Sequence, residues 1–206
     1  MKYEIKRFKS LAIALKELEP FIRNGKHLQT GRPFANFGGM LSREVLANWL
    51  ICVVANEAHG DDARMTFTSD PLGGDGIILD TTTEETWPME HVMVPYQPDG
   101  DPVDVGATIM KAVDAKNNKG GVAYASGKTL VVFLNCKGEE WYPNHIAKAL
   151  PVNLTFGTVW AVGFQGVEDG RYRYGVANLH VEGGDAPTWI VEMASDFSAW
   201  RVERKQ

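Results

Sequence analysis

Asp75 and Glu90 are the residues whose type and spacing first suggest chemistry. Asp75 stands in Gly74-Asp75-Gly76, directly before the apolar run Ile77-Ile78-Leu79; Glu90 follows fifteen residues later, at the head of the segment His91–Tyr96. Read as two antiparallel strands, Gly76–Asp80 and His91–Tyr96, this stretch brings an acid to the start of each. Two carboxylates at neighbouring strand starts offer hard oxygen ligands to a divalent cation. Two solvated strand ends would give the same pattern with no function.

The flanking elements must position these acids. Phe8, Leu11, Leu15 and Leu18 recur at helical spacing and predict an amphipathic helix over 4–23, ended or kinked at Pro20. Gly25 to Pro33 reads as a loop. Leu41–Ala58 gives the strongest helix signal, with Ser42 as N-cap and Gly60 at the C-cap position. Its apolar breadth demands cover on most of its surface. Arg64–Thr68 alternates as a short strand, and Pro88 is expected to break the ladder that follows. Val105–Lys116 predicts a helix capped by Asp104, ended by Asn117–Gly121, with Lys111 and Lys116 facing out or along an edge. Thr129–Leu134 (TLVVFL) reads as a strand buried on both faces. A short helix over Pro143–Leu150, strands over Thr158–Gln165, Arg171–His180 and Trp189–Met193, and a frayed tail RVERKQ complete the chain. The order predicts one mixed α/β domain: a mixed sheet flanked by helices.

Composition narrows the function classes. The 206 residues are 44% hydrophobic and 23% charged, as in a soluble globular protein, and the longest apolar run, Trp49–Ala55, is too short to span a bilayer. The two cysteines, Cys52 and Cys136, need not pair, and no secretion signal is legible, so a cytoplasmic setting is the expectation. The net charge of −5 is unevenly spread. Residues 1–32 carry eight Lys/Arg against three acids, and residues 57–104 carry twelve acids against one Arg. The basic end suits phosphates; the acidic middle repels them unless cations neutralise part of it.

Other constellations are weaker. Gly127-Lys128-Thr129 lacks the upstream glycine of a phosphate-binding loop and precedes a strand rather than a helix. His27, His59, His91, His145 and His180 show no zinc spacing. Cys136 with His145 allows a thiol hydrolase to be drawn, but a small buried cysteine at a strand end is the plainer reading. Trp87, beside Pro88 and near the acids, is a candidate ligand contact.

The order of elements over residues 40–165 resembles the restriction-endonuclease-like, or PD-(D/E)xK, superfamily. Asp75 before Ile77-Ile78-Leu79 matches its Asp-before-strand element, and Glu90-His91-Val92 falls where acid-x-Lys is expected. The resemblance implies a restriction-endonuclease-like core over 40–165, with an N-terminal helix and loop over 1–35 and a C-terminal β extension over 166–206. It implies hydrolysis of DNA or RNA with Mg²⁺ or Mn²⁺ held by Asp75 and Glu90, and Glu44 as the helix acid. It also allows a homodimer. Val92 departs from the pattern where a lysine is expected. On a strand, His91 points to the opposite face from Glu90, so Lys111 from the next helix is the candidate substitute. The departure also implies an alternative: a domain that kept the fold, lost the chemistry and serves protein association.

Overall fold

The structure, a computed structural model, describes residues 8–94, 103–135, 140–179 and 183–206. Among the described residues there are five α-helices and eight strands, and the strands form one mixed sheet in which spatial order follows chain order, β1 to β8. Helix α1 (Leu11–Arg23) is capped by the Ser10 side chain. It does not stop at Pro20, which lies inside it, and the Asn24 N–H still reaches the Pro20 carbonyl. A proline loses its own donor and crowds the carbonyl one turn earlier, but its own carbonyl still accepts from Asn24, and Pro20 is exposed, so the last turn survives. Phe8, expected on the buried stripe, is half exposed. The predicted loop over 25–33 contains a short helix, α2 (Lys26–Thr30), ended by Gly31 in the left-handed region.

Helix α3 (Ser42–His59) is the organising helix, and every residue from Glu44 to Val54 is buried. Its N-cap is Leu41 rather than Ser42. The Glu44 carboxylate accepts the Leu41 N–H at 2.8 Å, while the Ser42 hydroxyl donates to the His27 carbonyl. Gly60 closes it at φ 65, as expected.

Strands β1 (Met65–Thr68), β2 (Ile77–Asp80) and β3 (Thr86–Val94) form an antiparallel meander. Pro88 lies inside β3 and does not break it. The ladder bonds run from Asp80 N–H to Glu85 and from Met89 N–H to Gly76. Pro88, opposite Ile77, therefore sits at an alternate position where no N–H is required. Residues 95 and 96, predicted as the end of this strand, lie outside the described residues.

Helix α4 (Val105–Ala125), capped by Asp104, runs well past the expected end at Asn117–Gly121 and is broken only at Gly121. Strand β4 (Thr129–Leu134) then pairs parallel with β3, and β5 (Thr158–Glu168) parallel with β4, with α5 (Pro143–Ala149) between them. Strands β6 (Arg171–Asn178), β7 (Thr188–Met193) and β8 (Trp200–Arg204) continue antiparallel. The tail expected to fray is thus an ordered strand, and the C-terminal strands extend the same sheet.

Two apolar layers cover the sheet. Helices α1 and α3 pack on one face with Met89, Val131 and Phe133; α4 and α5 pack on the other with Leu130, Val132 and Val159. Trp49, fully buried, donates its indole N–H to the Leu11 carbonyl at 2.8 Å and meets Trp200 edge-on, tying α1, α3 and β8 together. Trp49→Ala should cost about 3–5 kcal/mol. Trp49→Phe, which keeps most of the volume and gives up the indole bond, should cost about 1 kcal/mol. Urea unfolding of the three proteins measures both losses.

Candidate active site

The site forms where β3 changes partners. Its residues Thr86–Pro88 pair with β2, whereas Met89–Val94 pair with β4. The β2–β3 ladder continues just past its last paired residues. Met89 N–H donates to the Gly76 carbonyl at 2.9 Å. The next inward donor, His91 N–H, finds no strand carbonyl and goes to Asp75 Oδ2 at 2.7 Å. A side-chain carboxylate thus takes the place of a backbone acceptor, and at this fork Asp75 comes within electrostatic reach of Glu90. Gly76 is required there. Its φ is +118, and a Cβ would lie 2.5 Å from Asn48 Nδ2.

Strand alternation sends Met89 and His91 toward α3, and Glu90 and Val92 toward α4. His91 does point away from Glu90. Glu90 Oε1 accepts from Lys116 Nζ at 2.5 Å and from the Tyr124 hydroxyl. Lys128 Nζ lies 3.5 Å from Oε2. Lys128 and Lys119 both approach the Tyr124 ring, at 4.5 and 5.3 Å from its centroid. This arrangement depends on the break in α4. Gly121 adopts φ 60, ψ −156, and a Cβ on Gly120 would fall 2.6 Å from the Tyr124 Cβ. The glycine pair lets the final turn fold Tyr124 back onto Glu90.

Charge is concentrated here. Burial, and then the Asp75 charge, push the Glu44 carboxyl up to about 7. Burial raises Asp75 too, with Glu90 adding to it and the His91 N–H opposing it. Burial would raise Glu90 as well, but the Lys116 and Tyr124 hydrogen bonds and the lysine charges outweigh it, and Glu90 sits below its ordinary value. Burial and the bond to Glu90 raise Tyr124, which stays a phenol. Burial holds His91 neutral, down to about 3, against the opposing charge of Glu90.

Of the residues singled out in sequence, Glu44, Asp75 and Glu90 are brought within electrostatic reach of one another. Lys111 is not brought in. It is exposed on α4, and Lys116, expected to face out or along an edge, stands part-buried against Glu90. Lys128 and Tyr124 also join the cluster. Sequence reasoning passed over them because α4 was ended too early and Lys128 was weighed only as part of a phosphate loop. Asn117-Asn118-Lys119-Gly120-Gly121 carries no local signal that the helix continues. Trp87 packs half-buried in the apolar layer on the α3 side. His145 stacks near Tyr142 on α5, and Cys136 lies outside the described residues. Among the described residues no group of three His, Cys, Asp or Glu side chains forms a ready metal cage, and no helix is long and apolar enough to cross a membrane.

No protein-family model matches the chain, and no curated protein matches it at a significant level.

Glu44 gives a pH dependence of known sign. Its folded value of about 7 exceeds its ordinary 4.5, so the native state holds an extra proton between these values. Its contribution to stability is present below pH 4.5 and is lost as pH rises to 7. Relative to wild type, Glu44→Gln should gain about 1–2 kcal/mol between pH 5 and 7.5 in chelator, allowing for solvent screening. Urea melts across that range test it.

Proposed function

We propose that this chain is a metal-dependent phosphodiesterase acting on nucleic acid, with Asp75 and Glu90 as metal ligands and Lys116 in the role of the absent strand lysine. The single observation that carries the reading is Lys116 Nζ at 2.5 Å from Glu90 Oε1, at the fork that also holds Asp75. A lysine on the following helix supplies the charge that Val92 cannot. The succession α3, β1, β2, β3, α4, β4, with β4 parallel to β3, supports the likeness to the restriction-endonuclease-like core.

The residues present fit Mg²⁺ or Mn²⁺. Asp75 Oδ1 makes no hydrogen bond among the described residues, and the carboxylates of half-buried Asp75 and buried Glu44 and Glu90 repel one another. A divalent cation relieves that repulsion. Mg²⁺ retains several waters and commonly takes only one or two carboxylates besides substrate phosphate, so a three-carboxylate cage is not required. When bound, the ion lowers the pKa of a water and neutralises charge on the phosphate. The protein does the rest. Lys116 and Lys128 place positive charge beside Glu90, where a phosphate and its attacking water would lie. Tyr124 holds the Glu90 carboxylate in orientation. Glu44, poised near neutrality, can take up a proton at working pH.

One observation favours the alternative of an association domain: Lys116 and Tyr124 already satisfy Glu90 Oε1, as in a purely structural ion pair. Cleavage assays separate the two. Plasmid, single-stranded and branched DNA and RNA would be incubated with Mg²⁺ or Mn²⁺. Asp75→Ala, Glu90→Ala and Lys116→Ala are expected to lose about 100-fold or more in rate, whereas Lys111→Ala should keep wild-type activity. No cleavage by folded wild type, together with no calorimetric binding of Mn²⁺, sinks the enzyme reading.

A further inference from the structure

Asn48 and His91 stand behind the acids, fully enclosed between α3 and β3, and the chemistry above uses neither. Asn48 has no solvent exposure and His91 only 6%. Asn48 Nδ2 donates to the Asp75 carbonyl at 3.0 Å, and Asn48 Oδ1 lies 3.0 Å from His91 Nε2. His91 N–H in turn donates to Asp75 Oδ2 at 2.7 Å. The three contacts close a ring through Asp75, Asn48 and His91.

The ring fixes its own proton positions. A backbone carbonyl only accepts, so the Asn48 atom facing Asp75 must be the amide nitrogen. The Asn48 oxygen therefore faces His91, and His91 Nε2 must carry the hydrogen. His91 Nδ1 is then a bare lone pair, and it is a buried atom with no hydrogen-bond partner among the described residues. An unpaired buried acceptor costs stability. The fold bears that cost along with a glycine at position 76, where any Cβ would displace Asn48.

We infer that Asn48 and His91 are positioning residues: they grip Asp75 by its carbonyl and its carboxylate, leaving Oδ1 presented for a cation. This rests on Asp75 being a metal ligand. Asn48 lies one turn beyond Glu44 on α3, so the same helix face carries both the helix acid and the clamp. A packing role alone would tolerate an apolar residue of Asn48's size; the clamp needs one donor and one acceptor in fixed order.

The test uses nitrogen-15 NMR, amide exchange and Mn²⁺ calorimetry on the folded chain. Wild-type His91 is expected as the Nε2–H tautomer, with its backbone amide protected. Asn48→Leu should lose the protection of the His91 amide while β4 amides such as Val131 keep theirs. Its Mn²⁺ affinity should fall ~10–100-fold. Asn48→Asp keeps the acceptor for His91 but not the donor to Asp75, so the tautomer should persist while the affinity falls. His91→Gln, whose amide can still donate to Asn48, should keep most of the affinity that His91→Leu loses. An Nδ1–H tautomer in wild type overturns the inference. So does unchanged His91 protection in both folded Asn48 variants. Should wild type bind no Mn²⁺, the nuclease reading fails by itself, and the tautomer and amide data still decide the clamp.

Discussion

The site depends on one constraint: β3 does not pair with both of its neighbours along its whole length. Its first residues bond to β2 and its last to β4, and the exchange falls between Pro88 and Met89. A strand leaving one partner exposes donors, and buried donors must be satisfied. The Asp75 side chain satisfies the His91 N–H that β2 no longer reaches. The carboxylate is thus placed by the backbone accounting of the sheet. The same fork puts Glu90 one residue away, on the opposite face, where α4 supplies cations.

The two helices that flank the fork contribute in different ways. Helix α3 is covered on every side by α1, α2 and the sheet, so a polar residue on it must be satisfied internally. Glu44 finds the Leu41 N–H, and Asn48 finds Asp75 and His91. These partners hold the acid end of the site rigid. Helix α4 is exposed along much of its length and brings charged groups. Its broken last turn at Gly121 delivers Tyr124, and the residues just after it deliver Lys128. The balance leaves Glu90 fully ionised beside its lysines while Glu44, deeper and nearer to other acids, is held close to neutrality.

Sequence by itself determined most of the elements and marked the acids. The apolar stripe of α3 and the continuous apolar run of β4 placed those elements to within a residue, and α5 and the start of β5 were placed as closely, because hydrophobic patterning is a local signal. Asp75 before an apolar run and Glu44 in the first turn of α3 were legible in the same way. Local rules misled where tertiary partners override them. Pro88 stays in a strand because its missing N–H faces no acceptor, and the basic tail is ordered because β7 offers it an edge. The tertiary structure alone decided which groups gather at Glu90. Lys116, at helical spacing from Ile109 and Val113, lies on the buried side of α4 and Lys111 on the other, but only the packing of α4 over β3 brings Lys116 to Glu90 together with Tyr124 and Lys128. It also decided that Asn48, unremarkable in the sequence of α3, closes on Asp75 and on His91, whose turn away from Glu90 already follows from strand alternation. Contacts between residues far apart in the chain depend on packing angles and registers, which no local pattern encodes.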